Sequence, residues 1–347
     1  MNISSTLTKP ESVPSGSTPA PVVQVQNLRH VYGDRVALDD VSFDVRPAEI
    51  FGLLGPNGSG KTTMFRVLST LMLPTSGRAI IMGHDTALDP GGVRRQIGVV
   101  FQASSIDIKL TAEENLIHVA HLYGIRGKAL RQRVAEMLER VALTDRKDDR
   151  VETFSGGMKR RLELAKGLLH RPSVLLLDEP TTGLDPGARI DLWRYLQELR
   201  DREGVSIIVT THLMEEAEKC DRLAILSHGK LVGLGTPAEM RAAIGGDVLS
   251  LEVHDKTEAS AASLVARINQ RFGADATVVD GSVRIEREQG HRFLTDIVEA
   301  FPGEIDSISV SKPTLEDVFI SRTGHRFWNE DLQAQAENAA ATKKKKH

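Results

Sequence analysis

At 347 residues the chain is long enough for about two domains, each with a core of its own. Its 40% hydrophobic and 26% charged residues are ordinary for a soluble globular protein, and a net charge of −3 gives no argument for nucleic acid as the main partner. The one cysteine, Cys220, excludes an intramolecular disulfide, reads as an inert thiol and suits a reducing cytoplasm; no run approaches the roughly 18 apolar residues that span a bilayer, so any membrane crossing falls to another polypeptide.

Residues 1–21 are polar, Ser/Thr/Pro-rich and without the basic-then-apolar order of a signal peptide, and they read as a disordered leader. The fold is expected to begin at Val22-Val23-Gln24-Val25, followed by the run from Leu28 to Gly33 and the partly alternating stretch Ala37 to Val45. Tyr32 lies in this region, and by itself reads as a packing residue.

The apolar run Ile50 to Leu54 leads into Gly55-Pro56-Asn57-Gly58-Ser59-Gly60-Lys61-Thr62, and Thr63 with Met64 to Leu68 continues as a helix. Strand, glycine-rich loop, helix is the order that turns consecutive peptide N–H groups inward around a polyphosphate. The helix N-terminus adds unsatisfied donors and the positive end of its dipole. Lys61 supplies an ammonium for the outer phosphates and Thr62 a hydroxyl where magnesium would sit.

Ala79 to Gly83 and Ile97 to Gln102 read as two further strands. Gln102 either caps a strand end or orients a water or metal ion through its amide. From Thr111 the period turns helical, with Thr111 and Glu114 as a capping box, and a second helix is expected from about Lys128 to Leu143. These helices form an inserted helical subdomain over about 103–170. Phe154-Ser155-Gly156-Gly157-Met158 opens a helix expected over Lys159 to Leu169. Ser155, Gly156 and Gly157 either cap it in the ordinary way or bind an anion, and the second choice suggests a nucleotide held elsewhere, on another copy.

Val174 to Leu177 is an uninterrupted apolar strand ending in Asp178 and Glu179, the pattern of a parallel sheet buried on both faces. Ligands of such sheets sit at the carboxyl strand ends, where Asp178 could hold a magnesium shell and Glu179 polarise an attacking water. Thr182-Gly183-Leu184-Asp185-Pro186 makes a turn before a helix expected over Ala188 to Arg200. Val205 to Thr211 is another strand, with His212 just past its end at the edge of the carboxylates. Leu223 to Leu226 and Lys230 to Gly235 read as a hairpin.

Near Gly245 the pattern restarts as strand (Val248 to Val253), helix (Ser260 to Phe272), strand (Ala276 to Val279), strand (Ser282 to Arg287), helix (His291 to Phe301) and strand (Ile305 to Val310), the ferredoxin-like order. It carries no nucleotide loop and no metal-ligand cluster, so regulation or packing is expected of it. A last helix, Leu315 to Ser321, is capped by Thr314 with Asp317. The tail ends in Lys343 to Lys346, which either touches anionic lipid or is merely solvated. No second GxxxxGK[ST] occurs.

Together these residues resemble the ATP-binding subunit of an ABC transporter over about Val22 to Thr236. The resemblance matches Gly55 to Thr62 to Walker A, Val174 to Glu179 to Walker B and Phe154 to Met158 to the family's LSGGQ signature. It matches Thr182 to Asp185 to the D-loop, Gln102 to the Q-loop, His212 to the switch histidine and Tyr32 to the adenine-stacking aromatic. The signature departs at both ends, Phe for Leu and Met for Gln, but keeps the Ser-Gly-Gly that makes the phosphate contact. Ser105 to Leu116 and Pro313 to Phe319 resemble daunorubicin-resistance-type and nodulation-type exporters.

The resemblance implies an α/β fold, a P-loop ABC ATPase domain (22–245) with an inserted helical subdomain; the pattern beyond it adds a small C-terminal α+β, ferredoxin-like domain (246–324) and a flexible tail (325–347). It implies ATP and Mg²⁺, an ATP-sandwich dimer with a second copy, a separate membrane permease, and export without a solute-binding protein or nucleic acid. The chain would then lie peripherally on the cytoplasmic face of the membrane. In that scheme Thr62, Gln102 and Asp178 serve the metal, Glu179 activates water, His212 meets the γ-phosphate and Asp185 couples two sites. A soluble ABC ATPase acting on ribosomes or nucleic acid is the alternative, favoured by tandem nucleotide domains or a long coiled coil, neither of which the sequence has.

Overall fold

A computed structural model describes residues 20–255 and 257–327. The expected leader, apart from its last two residues, and the tail from Trp328, with its four lysines, lie outside the described residues.

The chain opens as an antiparallel hairpin, β1 (Val23–Tyr32) and β2 (Arg35–Val45), turning at Gly33-Asp34. β4 (Ser76–Ile81) pairs with the other edge of β1, and the two-residue β5 (His84–Asp85) completes a four-stranded layer. Beneath it lies a six-stranded sheet in the order β10-β9-β3-β8-β7-β6. Its strands are β3 (Ile50–Leu54), β6 (Ile97–Val100), β7 (Val174–Asp178), β8 (Ser206–Thr211), β9 (Arg222–Ser227) and β10 (Lys230–Gly235), and only β10 runs antiparallel to its neighbour. Every residue of β3, β7 and β8 is buried, which is why these strands are continuous apolar runs rather than alternating ones.

Helix α1 (Lys61–Leu68) leaves the phosphate loop. A short α2 (Pro90–Gln96) precedes β6. The helical arm comprises α3 (Ala112–Leu122), α4 (Gly127–Arg140) and α5 (Gly156–Leu168). The Thr111–Glu114 capping box forms in full. Leu116, Val134, Met137 and Leu162 of the arm share one core with Leu175 and Leu177 of the sheet. α4 ends earlier than its apolar stripe suggests, because Ala142 takes a left-handed conformation (φ 52) that stops the helix. Both helices flanking the carboxylate strand start earlier than expected. α5 begins at Gly156 because Ser155 caps it, and α6 (Pro186–Glu203) begins at Pro186 because Asp185 caps it and proline suits the first position.

Beyond β8 come a one-turn α7 (Met214–Ala217) and, after β10, α8 (Pro237–Ala242). Next follow β11 (Asp247–Val253), α9 (Glu258–Phe272), β12 (Thr277–Val279), β13 (Ser282–Arg287), α10 (Gly290–Ala300) and β14 (Ile305–Ser311). They form an antiparallel sheet in the order β12-β13-β11-β14, the split βαβ arrangement that the element order implies.

The last helix, α11 (Leu315–Thr323), leaves this sheet and returns to the nucleotide-binding body. Its Leu315, Val318 and fully buried Phe319 pack with Leu54, Leu223, Ile225 and Met240. A buried ion pair from Arg284 of β13 to Asp317 ties the C-terminal sheet to the same helix. Phe319 thus fills a core shared by both parts. We expect Phe319→Ala to cost about 3–5 kcal/mol in unfolding free energy, read as a lower urea midpoint with an unchanged slope. A midpoint within error of wild type would show that the α11 contact bears no load.

Candidate functional site

The parallel register sets the site. Leu54 pairs with Thr211, Asp178 with Thr210 and Val100 with Leu177, so the residues following four strands emerge side by side. Gly55, Gln102, Glu179 and His212 are therefore gathered at one edge of the sheet, where open α/β sheets bind their ligands.

The phosphate loop is packed against its surroundings too closely for side chains at Gly55 and Gly60. A Cβ at Gly55 would come 2.5 Å from the Leu226 carbonyl, and one at Gly60 would come 2.6 Å from the Ala37 carbonyl. Gly60 also has φ 109, open only to glycine. Lys61 is buried and folded back across the loop, its Nζ donating to the Gly55 carbonyl at 2.6 Å and the Pro56 carbonyl at 2.9 Å. Thr62 is exposed, Thr63 is buried, and the Ser59 hydroxyl is buried with no partner among the described residues. A cavity of about 210 Å³ joins Asn57, Gly58, Lys61 and Thr62 of this loop to Tyr32 and Glu179, and it is flanked by Arg35 and Arg66. Tyr32 presents a ring that is 42% exposed; its hydroxyl donates to Met72 Sδ at 3.1 Å and its ring packs on His30, with centroids 4.5 Å apart.

The two carboxylates are held quite differently. Asp178 is buried and its Oδ1 accepts from the Thr210 hydroxyl at 2.6 Å. Burial pushes its carboxyl up from the usual range, against that hydrogen bond. Glu179 sits in the left-handed region (φ 42), a conformation costing about 1–3 kcal/mol for such a residue. It is fixed there by its own N–H, which donates to the Thr210 carbonyl at 3.2 Å and the Thr210 hydroxyl at 3.0 Å. In this conformation Oε1 lies 3.1 Å from His212 Nδ1, while Oε2 accepts from Gln102 Nε2 at 3.0 Å and from the Thr182 hydroxyl at 3.3 Å. The His212 bond holds the Glu179 carboxyl below the usual range despite its partial burial. The structure thus joins Gln102, Glu179 and His212 in one hydrogen-bonded group.

The signature turn lies elsewhere. The Ser155 side chain accepts from the Met158 N–H at 3.3 Å, and Gly156 and Gly157 form the first turn of α5. Asp185 accepts from the Ala188 N–H at 3.0 Å. Ser155, Gly157 and Asp185 line a cavity of about 640 Å³ between α5 and α6 that shares no lining residue with the phosphate-loop cavity. The signature turn and the phosphate loop therefore line two separate cavities of one chain.

Sequence reasoning passed over Thr210, which holds the Asp178 carboxylate and the Glu179 N–H, and gave Thr182 only a place in the D-loop turn. A paired threonine at the end of an apolar strand, Thr210-Thr211, was the available signal. Arg35 and Arg66 carry no motif, and only the hairpin and α1 bring them beside the loop.

Comparison with known proteins agrees with this geometry. Residues 38–182 match the family described as ABC transporter. The chain is 36% identical to the daunorubicin/doxorubicin resistance ATP-binding protein DrrA of Streptomyces peucetius, over 92% of this chain and 97% of that one. It is 38% identical to the doxorubicin resistance ATP-binding protein DrrA of Mycobacterium tuberculosis, over 87% of this chain and 93% of the relative. Among solved structures, the dimeric post-hydrolysis state of the ATP-binding cassette MJ0796 bound to ADP and Pi is similar, with a TM-score of 0.56 and 29% identity over 62% of this chain and 98% of that one. With the phosphate loop, the carboxylate pair and the signature turn all present, the chain belongs to the ABC transporter family and is an ATP-binding, ATP-hydrolysing subunit of an ABC exporter.

Proposed function

We propose that two copies of this subunit close on two ATP molecules, each gripped by the glycine loop of one copy and covered by the Ser155 turn of the other. Closure drives export through a separate polytopic permease, with the subunit held on the cytoplasmic face of the membrane. The observation that carries the reading is the division of one chain's candidate site residues between two separate clefts. The favoured cargo is a drug-type molecule, by analogy with the doxorubicin-resistance relatives. We assign 22–245 to the nucleotide-binding domain, with a helical subdomain over about 103–170, and 246–324 to an accessory domain whose last helix packs back on the first.

In this scheme the exposed Tyr32 ring stacks on adenine. Gly55 to Gly60 enclose the phosphates, with backbone donors from Asn57, Gly58, Ser59 and Gly60 and none from Pro56, which has no N–H, and Thr63 anchors the start of α1. Lys61 moves from the Gly55 and Pro56 carbonyls to the β- and γ-phosphates. Ser155, Gly156 and Gly157 of the second copy meet the γ-phosphate, and Asp185 couples the two sites. Thr62, Asp178 and Gln102 fit a magnesium ion. Each offers a side-chain oxygen, and a hard cation of this kind takes its other ligands from phosphate and water. When bound, the ion would neutralise charge on the β- and γ-oxygens.

Glu179 accepts the proton of the attacking water. In the resting arrangement His212 and Gln102 hydrogen-bond to its two oxygens, and the His212 bond holds its carboxyl below the usual range. Turning His212 to the γ-phosphate and Gln102 away from Glu179 removes those two partners from its oxygens, so the carboxylate is open to water only when nucleotide is in place.

Glu179→Gln should bind ATP, accumulate closed dimers on gel filtration and lose roughly 10²–10⁴-fold in phosphate release. Wild-type turnover would refute the assignment of the base. The shared site is tested by mixing two inactive variants. Lys61→Ala lacks the phosphate grip and Ser155→Arg lacks the cover, so a mixed dimer rebuilds one complete site. An equimolar mixture should regain phosphate release from about a quarter of its sites, and no recovery would place both halves on one copy. Co-purification with a polytopic membrane protein tests the transport role.

A further inference from the structure

Helix α5 begins with the Ser155 turn, and the side chain five residues further on faces inward. Arg160 is buried among backbone carbonyls. Its Nε donates to the Pro180 carbonyl at 2.8 Å, Nη1 to the Phe101 carbonyl at 2.9 Å and Nη2 to the Asp178 carbonyl at 3.4 Å. Those carbonyls belong to the residue before Gln102 and to the two residues flanking Glu179. Nη1 also pairs with the buried Glu163 carboxylate at 2.7 Å, which balances the charge. Glu163 Oε1 in turn accepts from the Ser105 N–H at 3.2 Å, and Lys166 Nζ donates to the Ser105 carbonyl at 2.5 Å. Residues 160, 163 and 166 thus form one face of α5 that grips the segment 101–105 and the exit of β7 together.

We propose that Arg160, backed by Glu163, is the positioning residue that ties the signature helix to the hydrolytic group. Ser155 at the tip of α5 and Arg160 lie about 7–8 Å apart on one rigid helix, so a shift imposed at the tip moves the guanidinium with it. The guanidinium holds the backbone on both sides of Glu179, whose left-handed conformation needs such over-determination, and the backbone next to Gln102. Cover by the second copy is thereby transmitted to the base and to the amide beside it. A planar fork with donors in several directions suits three carbonyls and a carboxylate at once, whereas a lysine ammonium has one centre and cannot span them. Arg160 touches neither nucleotide nor water in this scheme; it acts through Glu179 and Gln102, and the inference rests on Glu179 being the base.

The test is a double-mutant cycle in the full-length dimer with single-turnover hydrolysis of labelled ATP. Arg160→Lys should lower kcat about 30–100-fold, while KM and the affinity for a non-hydrolysable ATP analogue stay within about threefold, as expected for misplacement of a reacting group. In the Glu179→Gln background the same change should cost less than about threefold, because the group it positions is already gone. Additive losses, a rise in KM in place of the fall in kcat, or an unchanged kcat would each overturn the proposal. Should Arg160→Lys fail to fold, Glu163→Gln enters the same cycle with an expected 3–10-fold loss of kcat, and a wild-type kcat there overturns it. Wild-type turnover by Glu179→Gln alone would instead remove the base assignment, a result distinct from any of these.

Discussion

The functional edge of this protein depends on the in-register pairing of parallel strands. With β3, β8, β7 and β6 aligned so that Leu54 meets Thr211, Asp178 meets Thr210 and Val100 meets Leu177, four loops leave the sheet within about 5 Å of their neighbours. A slip of one residue in any of these ladders would invert its strand and carry its catalytic residue away from the others. Complete burial of β3, β7 and β8 makes such a slip expensive, since every residue of these strands is packed against a covering layer. The tolerance of the active edge is thus set by apolar packing well behind it.

On that edge the charges are held in a resting arrangement that differs from the working one. Lys61 satisfies its ammonium on carbonyls of its own loop, and Glu179 satisfies its carboxylate on Gln102, Thr182 and His212. Neither group is left buried and unpaired, which would be costly. In the proposed cycle each exchanges those partners to act on a nucleotide, which would link substrate binding to the readiness of the site through shared hydrogen bonds. The strained backbone at Glu179 persists because Thr210 holds its N–H from one side and the carbonyls around it are fixed by the buried Arg160.

The C-terminal part is joined to the ATPase body by packing as well as by the chain. α11 inserts Phe319 beneath β9 and α8, and the Arg284–Asp317 pair links the same helix to β13. The end of β3, Leu54, belongs to that same apolar cluster and directly precedes the phosphate loop. A displacement of the accessory sheet therefore has a packed route toward Gly55.

The sequence by itself determined the order of elements and most of the chemistry. Continuous apolar runs marked the buried parallel strands, the Gly55 to Thr62 loop marked the phosphate site, and the βαββαβ order marked the C-terminal sheet, because each is a local pattern with a local physical cause. Helix starts are less legible: capped by Ser155 and Asp185, α5 and α6 begin three and two residues before the point at which periodicity places them. What only the tertiary structure decided is who holds whom. Thr210 holding the Asp178 carboxylate and the Glu179 N–H, Arg160 bridging to Phe101, Asp178 and Pro180, and α11 crossing back to β10 join residues 18 to about 90 positions apart. No periodicity or spacing records such contacts, because they come from strand register and helix packing, which exist only after the whole sheet has closed.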